Sequence, residues 1–437
     1  MYQSPLLGPE EEYLIVDKNG RISKSADDIL SHPLNTGNIV RERWTGVVEV
    51  NSPPSYNLEK FKKSYMDEVK TLTDISELLE LHVIPASVFE NENISGDAYP
   101  IRRYLSRDRL FGEYKTAISH ASCGTHLHID RNERTIDQYN LLQSLDPSFV
   151  LLSTSPFLLG KNTYNCHRVH SYRDELFEDY PAHGQLINYF NSTEELDQLN
   201  HQRLDDWLGL IGNDEETKAA YNQTNTSWGP IRLRERTIET RNGDANLPSI
   251  VMAQAALYKG VNDHVFRNQL NVRIMESQDF ENLYGITTHE MILPSYETLK
   301  QMEYEGCVYG LESDQVYYYL KHLVDIADKG LSKHEQRYLE PFKIMLNERR
   351  NIADVLYDRA ISIYPKLTNY INAQTARELN LYMSELHTLD MNEGSKPICE
   401  IIRDKSSMRN PKIISSESVL FYGPSNALAE RPKMTVY

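Results

Sequence analysis

Four separated stretches of this chain alternate with the two-residue period of β-strands, and each sets ionisable side chains on a face opposite apolar ones. Charges fixed inside apolar strands are expensive unless a partner ion or a bound group compensates them. A sequence that repeats this arrangement four times is therefore constrained towards a sheet with one polar, ligand-holding face. The first stretch is Gly8-Pro9-Glu10-Glu11-Glu12-Tyr13-Leu14-Ile15-Val16, where Glu10, Glu12, Leu14 and Val16 share a strand face. Burial there raises the carboxyl pKa or demands a cation, for which a divalent metal is the usual solution, whereas an exposed strand end needs neither. The second, Glu42-Arg43-Trp44-Thr45-Gly46-Val47-Val48-Glu49-Val50-Asn51, sets Val48 and Val50 against Val47, Glu49 and Asn51. Taken by itself it reads as an edge strand carrying one glutamate.

The third stretch, Cys123-Gly124-Thr125-His126-Leu127-His128-Ile129-Asp130, presents both imidazoles on one face and Leu127 and Ile129 on the other. That pair offers two metal ligands, or one ligand and one phosphate contact, and hydrogen-bonded structural histidines remain the plain alternative. The fourth runs from Trp228-Gly229-Pro230-Ile231-Arg232 through Arg234 and Arg236 to Thr237-Ile238-Glu239-Thr240-Arg241. Arginine forks bind carboxylate or phosphate bidentately, although a surface ladder of ion pairs uses the same residues to little effect. Carboxylates with one or two imidazoles suit Mg²⁺ or Mn²⁺, and the arginines suit phosphates, so the joint pattern points to phosphoryl chemistry on a nucleotide. No GxxxxGK[ST], GxGxxG or GxSxG motif is present.

The formal charge of -17 excludes a polyanionic partner unless basic residues cluster, and only the Arg232–Arg241 run approaches a cluster, so no nucleic acid is expected. The longest apolar run, Phe149 to Leu159, is interrupted by Ser153, Thr154, Ser155 and Pro156, so no membrane span is expected. The N-terminus lacks a basic segment followed by an apolar one, and no secretory signal is expected. Cys123, Cys166, Cys307 and Cys399 form no CxxC pair, so the expected setting is a reducing cytoplasm without disulfides.

Helical spacing predicts a helix over Tyr65–Leu81, with Met66, Val69, Leu72, Ile75, Leu78 and Leu79 as its stripe. From Asp314 onward Val316, Leu320, Leu323, Val324 and Ala327 form another stripe that stops at Gly330. Ser332 with Glu335 and Thr375 with Glu378 fit capping boxes. The expected organisation is a catalytic domain over residues 1–290, a helical region over 291–392 packed on it, and an extended C-terminal tail over 393–437.

In order along the chain, these segments resemble the glutamate-cysteine ligase family 2 of carboxylate-amine ligases, in the glutamine synthetase superfamily. Gly8 to Tyr13 is similar to that family's GxExE strand, Glu42 and Glu49 to its acids seven apart, and Gly124 to His128 to its HxH strand. Ser155-Pro156-Phe157 with Gly160 and Ser171-Tyr172-Arg173 resembles the SPF...SxR loop, and Trp228 to Arg241 resembles the W-x-I-R...TxExR element. The resemblance implies an α+β fold: an antiparallel β-sheet funnel of the glutamine-synthetase catalytic type, with flanking helices and a C-terminal helical region. It implies metal ligation by Glu10, Glu12, Glu42, Glu49, His126 or His128, and Glu239. Catalytic contacts to phosphate or carboxylate are implied for Arg173, Arg232 and Arg241, and substrate or nucleotide contacts for these three with His128 and Trp228. The implied reaction phosphorylates the glutamate γ-carboxylate with ATP and passes the acyl group to an amine, with L-cysteine favoured and other amines open. Its requirements are ATP and Mg²⁺ or Mn²⁺, and a homo-oligomer is left open. Gly229-Pro230 stands where one Asp is usual, Leu233 replaces Pro, and the loop from Lys161 to His170 is longer, all near the expected amine or carboxylate site. The alternatives are a zinc metallohydrolase using His126, His128 and Asp130, which would work without ATP, and a non-catalytic relative.

Overall fold

The computed structural model describes residues 2–405 apart from 93, 163, 213 and 277–283. Alternating apolar residues extend the N-terminal segment into strand β1, Leu7–Asp17, which lies at the middle of a seven-stranded sheet. Strands β2 (Ile39–Arg41) and β3 (Val47–Asn51) lie on one side of it. On its other edge β1 pairs with β5 (Gly124–Asp130) through its first half and with β4 (Leu81–Ile84) through its second. Strands β7 (Thr237–Asp244) and β6 (Ile231–Leu233) continue the sheet outward from β5, and every pairing in it is antiparallel. A second sheet joins β8 (Asn271–Ile274), β9 (Gly285–Ile286) and β10 (Glu290–Leu293), with β10 in the centre. The fold is thus α+β, with the ionisable segments on adjacent antiparallel strands.

One face of the large sheet is closed by the helix Leu58–Leu78, whose Tyr65, Val69, Leu72 and Ile75 pack with Tyr13, Ile15, Val48 and Val50. This helix begins seven residues before the expected Tyr65, because the Asn57 side chain accepts from the amides of Glu59 and Lys60 and caps it there. It ends at Leu78, which is 65% exposed, and Leu81 belongs to β4, so the stripe sits one turn earlier than the sequence reading set it.

The helix Asp314–Gly330 has the expected bounds, and its Val316, Leu320, Leu323, Val324 and Ala327 are buried. Gly330 does more than end it. A Cβ there would lie 1.8 Å from the carbonyl oxygen of Gly260, so the pair of glycines permits the close crossing with the helix Pro248–Arg267. Ser332 and Glu335 make the reciprocal bonds of the expected box, the Ser332 amide donating to the Glu335 carboxylate at 3.2 Å and the Glu335 amide to Ser332 Oγ at 3.4 Å, but the short 3₁₀ helix Glu335–Leu339 that follows has His334, not Ser332, as its cap residue. Thr375 does not start a helix: Asn372 caps the helix Ala373–Glu393, and Thr375 donates its amide to that cap at 2.8 Å. Asn351 and Asp354 make a capping box that an S/T-x-x-E search misses. The stretch after Glu393, expected to be extended, forms a further helix, Ser395–Arg403, that buries Ile398, Cys399 and Ile402; the rest of that expected tail, 406–437, lies outside the described residues. Among the described residues no helix is long and apolar enough to cross a membrane.

Candidate functional site

Strand register brings the sequence-distant acids together. Glu10 stands opposite His126 on β5 and Asn51 on β3, Glu12 opposite Glu49, and Glu239 opposite both His128 and Arg232. On β1, Glu11 points to the reverse face, where Tyr13, Tyr65 and the amide of Asn246 donate to its buried carboxyl. Glu10 and Glu12 face a cavity of about 300 Å³ that is also lined by Glu42, Glu49, His126 and a set of arginines. Its roof is the helix Arg102–Ala121, the segment His167–Leu176 and the loop carrying Trp228 and Pro230.

Two groups of potential ligand atoms have all members within 4.8 Å of one another: Glu10, His126 and Glu239, and Glu12, Glu49 and His126. Their electrostatics differ. Burial tends to raise the pKa of Glu10, but hydrogen bonds and attraction from His126 and His128 outweigh it, so the carboxyl is held well below the usual range; His126 Nδ1 is 3.5 Å and His128 Nε2 3.1 Å away. Glu239 is fully buried and is held well below the usual range by Arg232, Arg241 and Arg234, which overcome its desolvation. Arg234 Nε donates to it at 2.5 Å, Arg241 donates to its other oxygen, and Arg232 is 3.6 Å away. Burial and the nearby charge of Glu42 push Glu12 up to about 8, with only the Gly124 amide and the Arg168 and Arg241 charges opposing. Glu49 is driven well above its usual value by burial and by repulsion from Glu42, Glu10 and Glu12. Burial drives His126 down to about 4, so it is neutral and able to ligate.

A cluster of carboxyls pushed up by burial and by one another, beside a neutral imidazole, is a donor set that suits a hard divalent cation, and Glu12, Glu49 and His126 fit one. Glu239 already has both oxygens occupied by guanidinium groups, so its group is less open to a cation. Glu42 sits just beyond β2 and lines the cavity, outside both ligand groups but close enough to shift Glu12 and Glu49. His128 is held by Thr237 Oγ1 at 3.0 Å and by Glu10 and lies outside the cavity lining. Asp130 joins neither group, so the set His126, His128 and Asp130 needed for a zinc hydrolase is not assembled.

Arg232, Arg241 and Trp228 line the cavity. Arg173 also borders it, but its guanidinium makes a buried bidentate pair with Asp146 at 2.7 and 2.8 Å and a third contact to Glu303 at 2.5 Å. Its charge is spent on the protein. In the long loop, His167 is buried, His170 pairs with Asp174 at 3.0 Å and stacks on Tyr164, and of the three basic residues Arg168 alone lines the cavity, beside Val169. Arg168 lies against Gly124, where a Cβ would meet Nη2 at 2.2 Å, and 3.5 Å from Asp244. Sequence reasoning missed Arg103, Tyr104 and Arg107, which reach the cavity from the roof helix; the i, i+4 spacing of the two arginines was their only trace.

A family model described as "Glutamate-cysteine ligase family 2(GCS2)" matches residues 6–375. A protein of Rhodococcus jostii (strain RHA1) described as "Putative glutamate--cysteine ligase 2-1" is 24% identical over 259 residues, 58% of this chain and 64% of its own length. Among solved structures, a bifunctional glutathione synthetase from Pasteurella multocida matches with a TM-score of 0.56 and 13% identity over 89% of this chain and 52% of its own. A glutamate--cysteine ligase from Francisella tularensis in complex with AMP matches with a TM-score of 0.54 and 12% identity over 92% of this chain and 96% of its own. At these identities the two structures establish a shared fold. The chain spans less than two thirds of the Rhodococcus relative and about half of the Pasteurella enzyme.

Proposed function

The chain belongs to glutamate-cysteine ligase family 2, and we propose that it is an ATP-dependent ligase joining the γ-carboxylate of L-glutamate to an amine, L-cysteine first among candidates, through an acyl phosphate. The observation that carries the reading is one cavity in which carboxyls raised by burial and by mutual repulsion face arginines on the adjoining strands. Such a cavity suits a substrate that brings both cations and phosphates.

A carboxylate does not react with amines because its leaving group would be oxide. Phosphorylation converts that oxygen into a good leaving group, and the amine then expels phosphate from the tetrahedral adduct, leaving an amide, ADP and phosphate. Glu12, Glu49 and His126, with Glu10 adjoining, would hold Mg²⁺ or Mn²⁺, and the bound ion supplies neutralisation of charge on the phosphates. Arg232 and Arg241 are presented from β6 and β7 with their forks fixed by Glu239, so they meet the transferring phosphoryl group without reorganising. Arg168 adds a third positive charge across the cavity. The aromatic roof around Trp228, which packs on Trp207 at 4.8 Å and Phe177 at 5.6 Å, limits water that would hydrolyse an acyl phosphate.

The test is ADP release with ATP, Mg²⁺ and L-glutamate while L-cysteine, other amino acids and simple amines are offered in turn. Release with equimolar amide supports the proposal and identifies the acceptor. No release with any amine would overturn it.

A further inference from the structure

Most of the cavity's arginines are neutralised by the protein. Arg43 pairs with Asp108, Arg168 lies 3.5 Å from Asp244, Arg173 binds Asp146 and Glu303, and Arg232, Arg234 and Arg241 share Glu239. Arg107 differs. It is 7% exposed, its Nε lacks a hydrogen-bond partner as do those of Arg43, Arg168 and Arg232, but unlike theirs its contacts among the described residues include no carboxylate and are neutral: Nη2 donates to Ser119 Oγ at 2.6 Å, and the guanidinium lies 5.3 Å from the Trp228 ring and 5.9 Å from that of Phe111. Among the described residues the guanidinium of Arg103, one turn earlier, makes a 3.4 Å contact to the Tyr104 hydroxyl and stands over that ring, with no ion pair. Both attract the carboxyl of Glu42, which lines the same cavity outside the two ligand groups.

A buried guanidinium with an open donor and no carboxylate beside it carries a large desolvation penalty unless an anionic ligand supplies the missing partner. The backbone holds it there. Gly112, at φ +69°, breaks the helix Arg102–Ala121, so Arg107 before the break and Ser119 after it both line the cavity. A single unneutralised fork on a Trp face suits a compact planar carboxylate, whereas the three arginines gathered on Glu239 lie on the strands, where the phosphates are placed by the proposed reaction. Resting on the ligase reading, we propose that Arg107, assisted by Arg103 and seated on Trp228, binds the carboxylate of an amino-acid substrate and thereby selects an amino acid over a simple amine or a neutral analogue.

Two amino acids supply that chemistry, glutamate and the acceptor, and Arg107→Met and Arg107→Lys separate them. Steady-state ADP release is measured with L-glutamate, with L-cysteine, and with cysteamine, which lacks the carboxylate. Loss of one charge-assisted fork is expected to raise KM about 10–100-fold for the substrate whose carboxylate is held, with the KM for ATP unchanged. If that substrate is the acceptor, Arg107→Met abolishes the preference for L-cysteine over cysteamine; if it is glutamate, the L-glutamate KM rises and the acceptor preference stays. Arg107→Lys, which keeps the charge but loses the fork, gives a smaller rise for the same substrate and guards against a Met variant that does not fold. Because Trp228 lies under Arg107, tryptophan emission titrated with L-glutamate and with L-cysteine reports binding without turnover. Saturable quenching in the wild type that is lost in Arg107→Met upholds the carboxylate site even if no ligation occurs. Full activity with unchanged amino-acid KM values, a rise confined to ATP, or quenching equal in variant and wild type would overturn it while leaving the ligase reading standing.

Discussion

Replacing Glu12 by Gln is expected to stabilise the metal-free protein at neutral pH. Glu12 is 8% exposed, faces Glu42 and Glu49, and has its carboxyl pushed up to about 8 from an unfolded value of 4.5. A carboxyl raised on folding binds more protons in the native state, so the cost is absent below pH 4.5, grows as pH rises, and reaches its full value near pH 8. Keeping the group protonated at pH 7 costs about 3 kcal/mol. Gln carries no such cost, and its oxygen can still accept from the Gly124 amide, which donates to Glu12 at 2.6 Å. Calorimetry of both proteins in EDTA should give a Tm higher by a few degrees for Glu12→Gln at pH 7.5, with the gap closing towards pH 4.5. Mn²⁺ should raise the wild-type Tm by a concentration-dependent amount and raise that of Glu12→Gln much less, reversing the order of the two. A variant less stable at pH 7.5 in EDTA, or a gap independent of pH, would refute the argument that these acids are held together against their own repulsion.

Three further outcomes follow from particular residues. Glu239→Gln should destabilise the protein by about 3–5 kcal/mol in chemical denaturation, because it leaves the buried Arg232 and the partly buried Arg234 and Arg241 without their shared anion. His387, buried beside Tyr13, is driven down to about 4 by desolvation, so the unfolded chain takes up its proton first as pH falls from 6.5 towards 4. That group removes up to about 3 kcal/mol over the window, and His387→Asn should flatten the acid limb of the stability curve relative to wild type. Gly124→Ala forces a Cβ into the Arg168 guanidinium and should lower kcat in the ADP-release assay while leaving the circular dichroism spectrum unchanged.

The strands were legible because ionisable residues interrupt apolar alternation only where something must be bound, and register then carried Glu10 to His126 and Glu12 to Glu49. The helix Asp314–Gly330 was legible because a long amphipathic stripe fixes its own bounds. Local signals that depend on one side chain were not: Asn57 caps a helix that the apolar stripe starts at Tyr65, and Asn372 caps one that the Thr375 and Glu378 pattern starts later. Arg173 and Arg107 show the larger gap. Both are arginines bordering one cavity, and only tertiary packing decides that Arg173 is consumed by Asp146 and Glu303 while Arg107 is left with neutral neighbours. Spacing in the chain carries no information about which acid, 27 residues away like Asp146 or 130 away like Glu303, reaches a guanidinium first.

The central claim, that a carboxylate is activated by phosphorylation before an amine attacks, is tested most directly with L-glutamate carrying ¹⁸O in its γ-carboxyl. Incubation with ATP, Mg²⁺ and the accepted amine, followed by mass analysis of the products, is expected to find one ¹⁸O in the released phosphate and the other in the amide. Amide formed with unlabelled phosphate would contradict the account, since the carboxyl oxygen would then never have been bonded to phosphorus.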